Sequence, residues 1–266
     1  MATVIAVFAI IFYCLSAGRQ YQAIANRAVN HRKQVLMLGS LGVMLHGISW
    51  FAQLSGNNGI NFSFFNVGSL ISLVIGIMIL LSALKKPLEN LFLGIFPMAA
   101  CLLAINLYVG TDSQSQPIND SGLVVHVIFS IMAYSLLTIA AFQAILLMIQ
   151  DYQLKHKHMT GIVRILPPLQ TMNRLLFEML GAGTLLLTIA IASGFIFLDD
   201  IFAQHLAHKT IFTLMAWITF AALQLGHWRF GWRGNVASKW TLVGTGFLVL
   251  AYFGSKLVLE VILDKI

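Results

Sequence analysis

The run LVVHVIFSIMAYSLLTIAAFQAILLMI, from Leu123 to Ile149, is 27 residues long and contains no charged side chain. As an α-helix it would extend about 40 Å, which exceeds the roughly 30 Å of hydrocarbon in a lipid bilayer. The strict apolar–polar alternation of a membrane β-strand is absent from it. The run therefore predicts a transmembrane helix that tilts or projects beyond the bilayer.

The chain as a whole is also strongly apolar. Of its 266 residues 59% are apolar and 9% are charged, whereas a soluble domain carries about 25% charged residues. The two cysteines, Cys14 and Cys101, lie inside apolar runs, and we expect them to be small buried apolar residues. The sequence predicts an all-α polytopic membrane protein, a single transmembrane domain over residues 1–266 built as a bundle of eight transmembrane helices. The predicted spans are residues 2–18, 35–54, 65–84, 88–109, 123–149, 175–198, 208–228 and 240–263.

Basic residues alternate between the loops and so predict the orientation of the bundle. The loops after spans 1, 3, 5 and 7 hold 13 of the 16 lysines and arginines, whereas the intervening loops carry one, Lys209, alongside four aspartates. The positive-inside rule then places both termini on the outer side of the membrane. Basic loops that face anionic lipid headgroups account for the net charge of +7, so we expect the lipid bilayer and no nucleic acid as a partner.

Four histidines lie in or at the ends of predicted spans, where an ionisable side chain is costly and indicates function. His46 is near the middle of span 2, and His126 is just inside the outer end of span 5. His208 and His227 are near the outer and inner ends of span 7. Neutral imidazole is a common ligand of haem iron. His126 and His208 could therefore form an axial pair, whereas His208 and His227 lie about 28 Å apart along one helix and cannot share a centre.

The same histidines have a purely structural interpretation. A membrane histidine can hydrogen-bond a neighbouring helix and stabilise the bundle, and that alternative stays open for each of them. No HxxxH, CxxCH or paired-carboxylate motif is present, so the sequence predicts neither a catalytic residue nor a metal-ion site. We expect Glu178 to pair with Arg174 one turn earlier. Polar residues on one face of span 3 are expected to hydrogen-bond neighbouring helices: Asn66, Ser69 and Ser72.

Five segments carry a resemblance to a known family. LTIAIASG (Leu187–Gly194) resembles an LTLGxxSG helix, and the run Leu123–Leu137 resembles a helix in which a histidine precedes a Ser/Ala-Tyr motif. Residues 216–229, AWITF through LGHWR, are similar to a tryptophan-containing helix that ends in a histidine, and Ala251–Lys256 to a last helix. The chain thus resembles the cytochrome c assembly protein family (CcsA/HemX-like). FFNVGSLISL (Phe64–Leu73) and the eight-span length are most similar to its YpjD-type inner membrane proteins.

The resemblance implies a multi-pass protein of the bacterial inner membrane, with the outer side facing the periplasm. It implies haem as a cofactor or cargo, which such proteins move across the membrane and present to apocytochrome c. His126 corresponds to the family's first external histidine and His227 to the histidine that closes the tryptophan helix. His46 corresponds to a histidine of an inner helix.

The chain also departs from the family pattern. The family's haem-presenting members carry an external WGxxWxWD loop, but Asp199–Lys209 contains no tryptophan. The external histidine expected after the last helix is missing, and His208 is the candidate to replace it. We therefore expect a haem-binding or haem-handling protein without haem lyase activity of its own. The alternative is a non-enzymatic accessory or regulatory subunit, for an ion transporter or for haem synthesis, with structural histidines. Its partner would be another membrane protein or apocytochrome c.

Overall fold

The computed structural model describes residues 2–25, 32–56, 64–109, 121–156, 163, 166–197 and 207–254. All regular secondary structure in these ranges is helical, which confirms the all-α prediction. A short 3-10 turn, Glu89–Leu91, leads into the fourth helix, and five residues of π-helix, Leu250–Gly254, continue the eighth. The α-helices of the described ranges are α1 (Ala2–Ala25), α2 (Arg32–Gly56), α3 (Phe64–Lys85), α4 (Phe92–Val109), α5 (Ser121–Lys155), α6 (Leu169–Phe197), α7 (Ala207–Phe230) and α8 (Asn235–Val249).

Seven helices of the described chain are long and apolar enough to cross a membrane, namely α1 to α7. The prediction of a polytopic membrane protein is thereby confirmed. The eighth predicted span ends at residue 263, beyond the described part of α8 and its π-helical continuation. The orientation of the termini stays a prediction.

Several helices run past the ends of the apolar spans. α1 continues seven residues beyond the predicted end at Gly18, because polar side chains there find partners: Gln20 Nε2 donates to Asn90 Oδ1 at 2.9 Å. α5 has 35 residues, about 52 Å of helix, which confirms that span 5 is longer than a perpendicular crossing needs. Span 6 was expected to begin at residue 175, but α6 begins at Leu169. Hydropathy marks where hydrocarbon begins, whereas the helix continues through the more polar interface.

The helices group into two compact units. Unit 1 comprises Met1–Ile118 and Met159–Pro167 and contains α1 to α4. Unit 2 comprises Asn119–His158 and Pro168–Ile266 and contains α5 to α8. The expectation of a single transmembrane domain stays a prediction.

Unit 1 packs large aromatic rings against glycines. A Cβ atom on Gly39 would lie 2.7 Å from Phe96 Cε2, and one on Gly42 would lie 2.9 Å from Tyr13 Cδ1. Both rings are completely buried. Small residues at these positions therefore allow α2 to approach α1 and α4 closely, as is typical of helices that associate in a membrane.

Unit 2 also packs an aromatic ring against a glycine, and it contains a well-defined turn between α7 and α8. A Cβ atom on Gly244 would lie 2.7 Å from Phe220 Cε1, so α8 lies directly against the ring on α7. The turn contains Gly231 and Gly234, whose φ angles of 66° and 60° favour glycine. The backbone N–H of Gly234 donates to Asn173 Oδ1 at 2.8 Å, and this bond holds the turn against the start of α6.

The cysteines show where the expectation from hydropathy was wrong. Cys14 and Cys101 are both exposed on the surface of the helices instead of buried. A soluble protein buries apolar side chains to remove them from water, but lipid tails are as apolar as the interior of the bundle. In a membrane span, an apolar residue can therefore face outward at no cost.

Candidate functional site

His46 lies on α2 in the interior of unit 1, with 0% of its surface exposed. Its Nδ1 is 3.1 Å from the Tyr13 hydroxyl of α1, and its Nε2 is 3.0 Å from Ser69 Oγ of α3. The rings of Tyr13 and His46 meet edge to face, with centroids 5.9 Å apart. Gly42, one turn before His46 on α2, leaves room for the Tyr13 ring to approach. His46 thus connects three helices, and the interhelical hydrogen bond expected of Ser69 is confirmed.

Both ring nitrogens of His46 are therefore used. A neutral imidazole donates from one nitrogen and accepts at the other, and a hydroxyl can play either role. Whichever tautomer forms, Tyr13 and Ser69 complete its hydrogen bonds. Ser72 behaves differently from the expectation for span 3, because its hydroxyl donates to the carbonyl of Ser69 in its own helix at 2.8 Å.

His126 is half-buried on α5 in unit 2. Its Nδ1 lies 2.8 Å from the carbonyl oxygen of Ala190 and 3.3 Å from Ser193 Oγ, both on α6. A carbonyl can only accept a hydrogen bond, so Nδ1 carries the hydrogen. The lone pair of the neutral ring is then on Nε2, which has no hydrogen-bond partner among the described residues. A metal-ligating histidine shows this same arrangement, with the far ring nitrogen held by a backbone carbonyl.

His227 is exposed at the end of α7, and its ring is oriented by two contacts. Its Nδ1 donates to the carbonyl oxygen of Trp232 at 2.7 Å. The imidazole stacks on Phe177 of α6, with centroids 3.6 Å apart and ring planes 15° apart. Gly226 is needed here because a Cβ atom at that position would overlap the Trp232 ring. His227 therefore also carries its lone pair on Nε2.

The two histidines of unit 2 belong to separate centres. His126 is anchored to α6 at Ala190 and Ser193, and His227 is anchored to the same helix at Phe177. The intervening 13 to 16 residues of α6 correspond to about 20 to 24 Å. One metal ion or haem iron cannot bridge that distance, so the centres lie at opposite ends of unit 2.

The expected pairing of His126 with His208 stays a prediction. His208 is in the first turn of α7, but its side chain lies outside the described residues. His156 offers a comparison because its Nδ1 also donates to a carbonyl, that of Tyr152, at 2.9 Å. That bond lies within one turn of the chain at an exposed helix end, and the described contacts of the ring are with Tyr152 of the same helix. Among the described residues no three His, Cys, Asp or Glu side chains form a group able to hold a metal ion.

Sequence reasoning missed the partners that orient these histidines. Tyr13 could have been found, because Tyr13, Ser16 and Gln20 recur at helical spacing and form a polar stripe on the buried face of α1. The carbonyls of Ala190 and Trp232 carried no such signal, because any residue has one. The expected ion pair was found: Arg174 Nε donates to Glu178 Oε1 at 2.9 Å, on the exposed surface.

Comparison with known proteins finds relatives along nearly the entire chain. The family model described as Cytochrome C assembly protein matches residues 34–263, which confirms the resemblance. The inner membrane protein YpjD of Escherichia coli K12 is 29% identical over 261 residues, which cover 97% of this chain and 99% of that protein. An uncharacterised 28.8 kDa protein of Azospirillum brasilense is 32% identical over 140 residues, which cover 52% of each chain. No solved structure matches.

Proposed function

The chain belongs to the cytochrome c assembly protein family, and on that premise we propose that it binds haem in the inner membrane as part of cytochrome c maturation. It is a multi-pass inner-membrane protein. The observation that carries the proposal is the Nε2 lone pair of His126, on a ring whose other nitrogen donates to the Ala190 carbonyl.

The donor chemistry at His126 fits a haem iron. Haem iron in proteins is commonly held by a neutral imidazole. The hydrogen bond from Nδ1–H to a backbone carbonyl fixes the tautomer and makes Nε2 more basic. Ala190 and Ser193 belong to a different helix from His126, so the ring is held by the packing of α5 on α6. A ligand with a preset orientation loses less freedom when it coordinates a metal.

The two histidines of unit 2 suit opposite faces of the membrane. Arg229, Arg233 and Lys239 follow His227 in the sequence, so we assign its end of unit 2 to the cytoplasm and the His126 end to the periplasm. When bound, haem would supply an iron centre that accepts an imidazole nitrogen as a ligand. His227 would hold haem at the inner face, where stacking on Phe177 keeps the imidazole ring in place. His126 would hold haem at the outer face, and His208 is the candidate for a second ligand of the iron.

His46 takes the structural role in this proposal. Both its nitrogens hydrogen-bond hydroxyl groups, and it is wholly buried, so its chemistry is that of an interhelical connection in unit 1. We also propose that the protein has no haem lyase activity of its own. The segment Asp199–Lys209 lacks the tryptophans of the family's haem-presenting loop. The function proposed is therefore haem binding and handling.

The test is an absorption spectrum of the purified protein with and without added haem. We expect a Soret band that decreases in His126→Ala and in His227→Ala and disappears in the double variant. His156→Ala is the matched control, because the Nδ1 of His156 also bonds a backbone carbonyl, but one four residues earlier instead of one on another helix. A protein without a Soret band, or with a band that survives the double substitution, would show that the proposal is wrong.

One observation favours a second function. Both ring nitrogens of His46 are hydrogen-bonded to hydroxyl groups, which supports a packing role for this membrane histidine. If all the histidines of this chain had that role, the protein would be a non-enzymatic accessory or regulatory subunit of another membrane protein. Affinity purification separates the two functions. A stoichiometric partner that stays bound to the His126→Ala/His227→Ala variant, together with the absence of a Soret band, would favour the subunit.

A further inference from the structure

The turn between α7 and α8 carries a row of three stacked aromatic rings. Phe230 stacks on Trp232 with centroids 6.3 Å apart, and Trp232 stacks on Trp240 with centroids 5.6 Å apart. Each ring has a basic neighbour in the sequence, and all three basic side chains are exposed: Arg229, Arg233 and Lys239. These three aromatic and three basic residues together are the turn cluster.

The basic side chains of the turn cluster are uncompensated within the part of the chain that the structure describes. Among those residues, none of the three forms a hydrogen bond, an ion pair or a contact with a ring. By contrast, an ion pair with a carboxylate holds Arg32, Lys155 and Arg174. Residues 201–259 contain no aspartate or glutamate, so neither α7 nor α8 supplies a carboxylate to the turn. The turn cluster therefore offers three positive charges to an anion from outside the described chain.

The turn cluster lies where two spans meet the membrane surface. Span 7 is predicted to end at residue 228 and span 8 to begin at residue 240, so the turn connects their ends. The rings of Trp228 and Phe230 are 82% and 74% exposed, which suits the boundary between hydrocarbon and headgroups. The positive-inside rule assigns this boundary to the cytoplasmic leaflet. The exposed basic side chains are therefore at the level of lipid headgroups.

The turn also holds the cluster in one arrangement. The Trp232 ring lies directly against Gly226, where a Cβ atom would overlap it. Gly231 and Gly234 have φ angles of 66° and 60°, and the backbone N–H of Gly234 donates to Asn173 Oδ1 on α6. A site whose parts are already in place loses less freedom when it binds a ligand. The turn cluster is thus more than a basic loop that an anionic surface attracts by charge alone.

We propose that the turn cluster binds the headgroup of an anionic phospholipid. A guanidinium group can donate paired hydrogen bonds to phosphate oxygens, and the ammonium of Lys239 adds a third positive charge. The exposed aromatic rings contact the upper part of the acyl chains. A zwitterionic headgroup neutralises its own phosphate, whereas an anionic headgroup does not, so the turn cluster favours the anionic lipid. The site requires no haem and is additional to the proposed function.

The test is quenching of tryptophan fluorescence in vesicles of phosphatidylcholine and phosphatidylglycerol, with bromine on the acyl chains of one lipid at a time. Three of the five tryptophans are in or beside the turn cluster, so they dominate the signal: Trp228, Trp232 and Trp240. We expect the haem-free, full-length protein to prefer phosphatidylglycerol about tenfold. The variant Arg229→Gln/Arg233→Gln/Lys239→Gln should lose that preference, while its helical circular dichroism and its quenching by brominated phosphatidylcholine stay unchanged.

The matched control removes three basic residues from unit 1, at helix ends that are predicted to face the same side of the membrane. The variant Arg19→Gln/Lys33→Gln/Lys85→Gln loses the same charge and should keep the preference for phosphatidylglycerol. More salt should weaken that preference in the unmodified protein, because the basic side chains of the turn cluster are exposed.

Several results would overturn the lipid site. Equal quenching by the two brominated lipids in the unmodified protein would do so without any variant, so misfolding of a variant leaves the site testable. A preference that survives the triple substitution in the turn would assign the lipid to another surface. Loss of the preference in the control as well would show that total charge attracts the lipid. Removal of the preference by inorganic phosphate, but not by sodium chloride at the same ionic strength, would identify a soluble phosphate as the ligand instead.

Discussion

Removing the hydroxyl of Tyr13 should weaken unit 1 without affecting haem binding. In Tyr13→Phe, one nitrogen of the fully buried His46 loses its hydrogen bond at 3.1 Å. Interhelical hydrogen bonds in a membrane protein are worth about 0.6 kcal/mol on average and about 1.7 kcal/mol at most. A nitrogen left unpaired and away from water lies toward the upper part of that range. We therefore expect a loss of about 1 kcal/mol in the free energy of unfolding.

A set of substitutions separates the hydrogen bonds from packing. His46→Leu leaves the Tyr13 hydroxyl buried and unpaired and should cost about 1 to 2 kcal/mol. The triple variant Tyr13→Phe/His46→Leu/Ser69→Ala removes every polar group of the chain of hydrogen bonds, and it should recover most of that loss. Tyr108→Phe is the matched control, because Tyr108 is 93% exposed and a surface change alters stability by less than about 0.5 kcal/mol.

The assay is reversible unfolding in mixed micelles, followed by helical circular dichroism, with haem titration of the same samples. We expect the single variants to lower stability and to bind as much haem as the unmodified protein. The reasoning would be refuted if Tyr13→Phe or His46→Leu reduced the Soret band while leaving stability unchanged. His46 would then be a ligand, and the hydrogen bonds to Tyr13 and Ser69 would not describe its role.

Three further substitutions test individual contacts in the two units. Gly39→Ala places a Cβ atom 2.7 Å from Phe96 Cε2, so it should destabilise unit 1 by about 1 to 3 kcal/mol in the same unfolding assay. Asn173→Ala removes the acceptor that holds the turn before α8, and it should weaken the Soret contribution of His227 in a haem titration while leaving a band in the His227→Ala background unchanged. Arg174→Gln breaks an ion pair whose arginine side chain is 80% exposed. It should change stability by less than about 1 kcal/mol, and a larger loss would contradict its placement on the surface.

The membrane architecture could be predicted from the sequence because it depends on one length, the thickness of the hydrocarbon. The runs that became α2, α3 and α7 matched their helices within about three residues at each end. The C-terminal ends of α1 and α5 and the N-terminal end of α6 were missed, since they project into an interface where hydropathy no longer distinguishes helix from loop. The exposed positions of Cys14 and Cys101 were missed because apolarity predicts burial in water only.

The histidines could be located from the sequence, but their roles could not be separated. His46 and His126 both interrupt apolar runs and look equivalent by hydropathy. What distinguishes them is tertiary: His46 meets a hydroxyl 33 residues away, and His126 meets a carbonyl 64 residues away. A hydroxyl accommodates either tautomer, whereas a carbonyl forces the hydrogen onto Nδ1. The depth of the two centres of unit 2 was closer to prediction, because helical rise alone separates them.

The central claim is that unit 2 offers two independent histidine ligands, at His126 and His227, and that His46 offers none. The most direct measurement is the number of haem molecules bound per chain at saturation. We predict two for the unmodified protein and for His46→Leu, one for either His126→Ala or His227→Ala, and none for the double variant. A single haem that disappears on substituting either His126 or His227, or a count that falls in His46→Leu, would contradict the account.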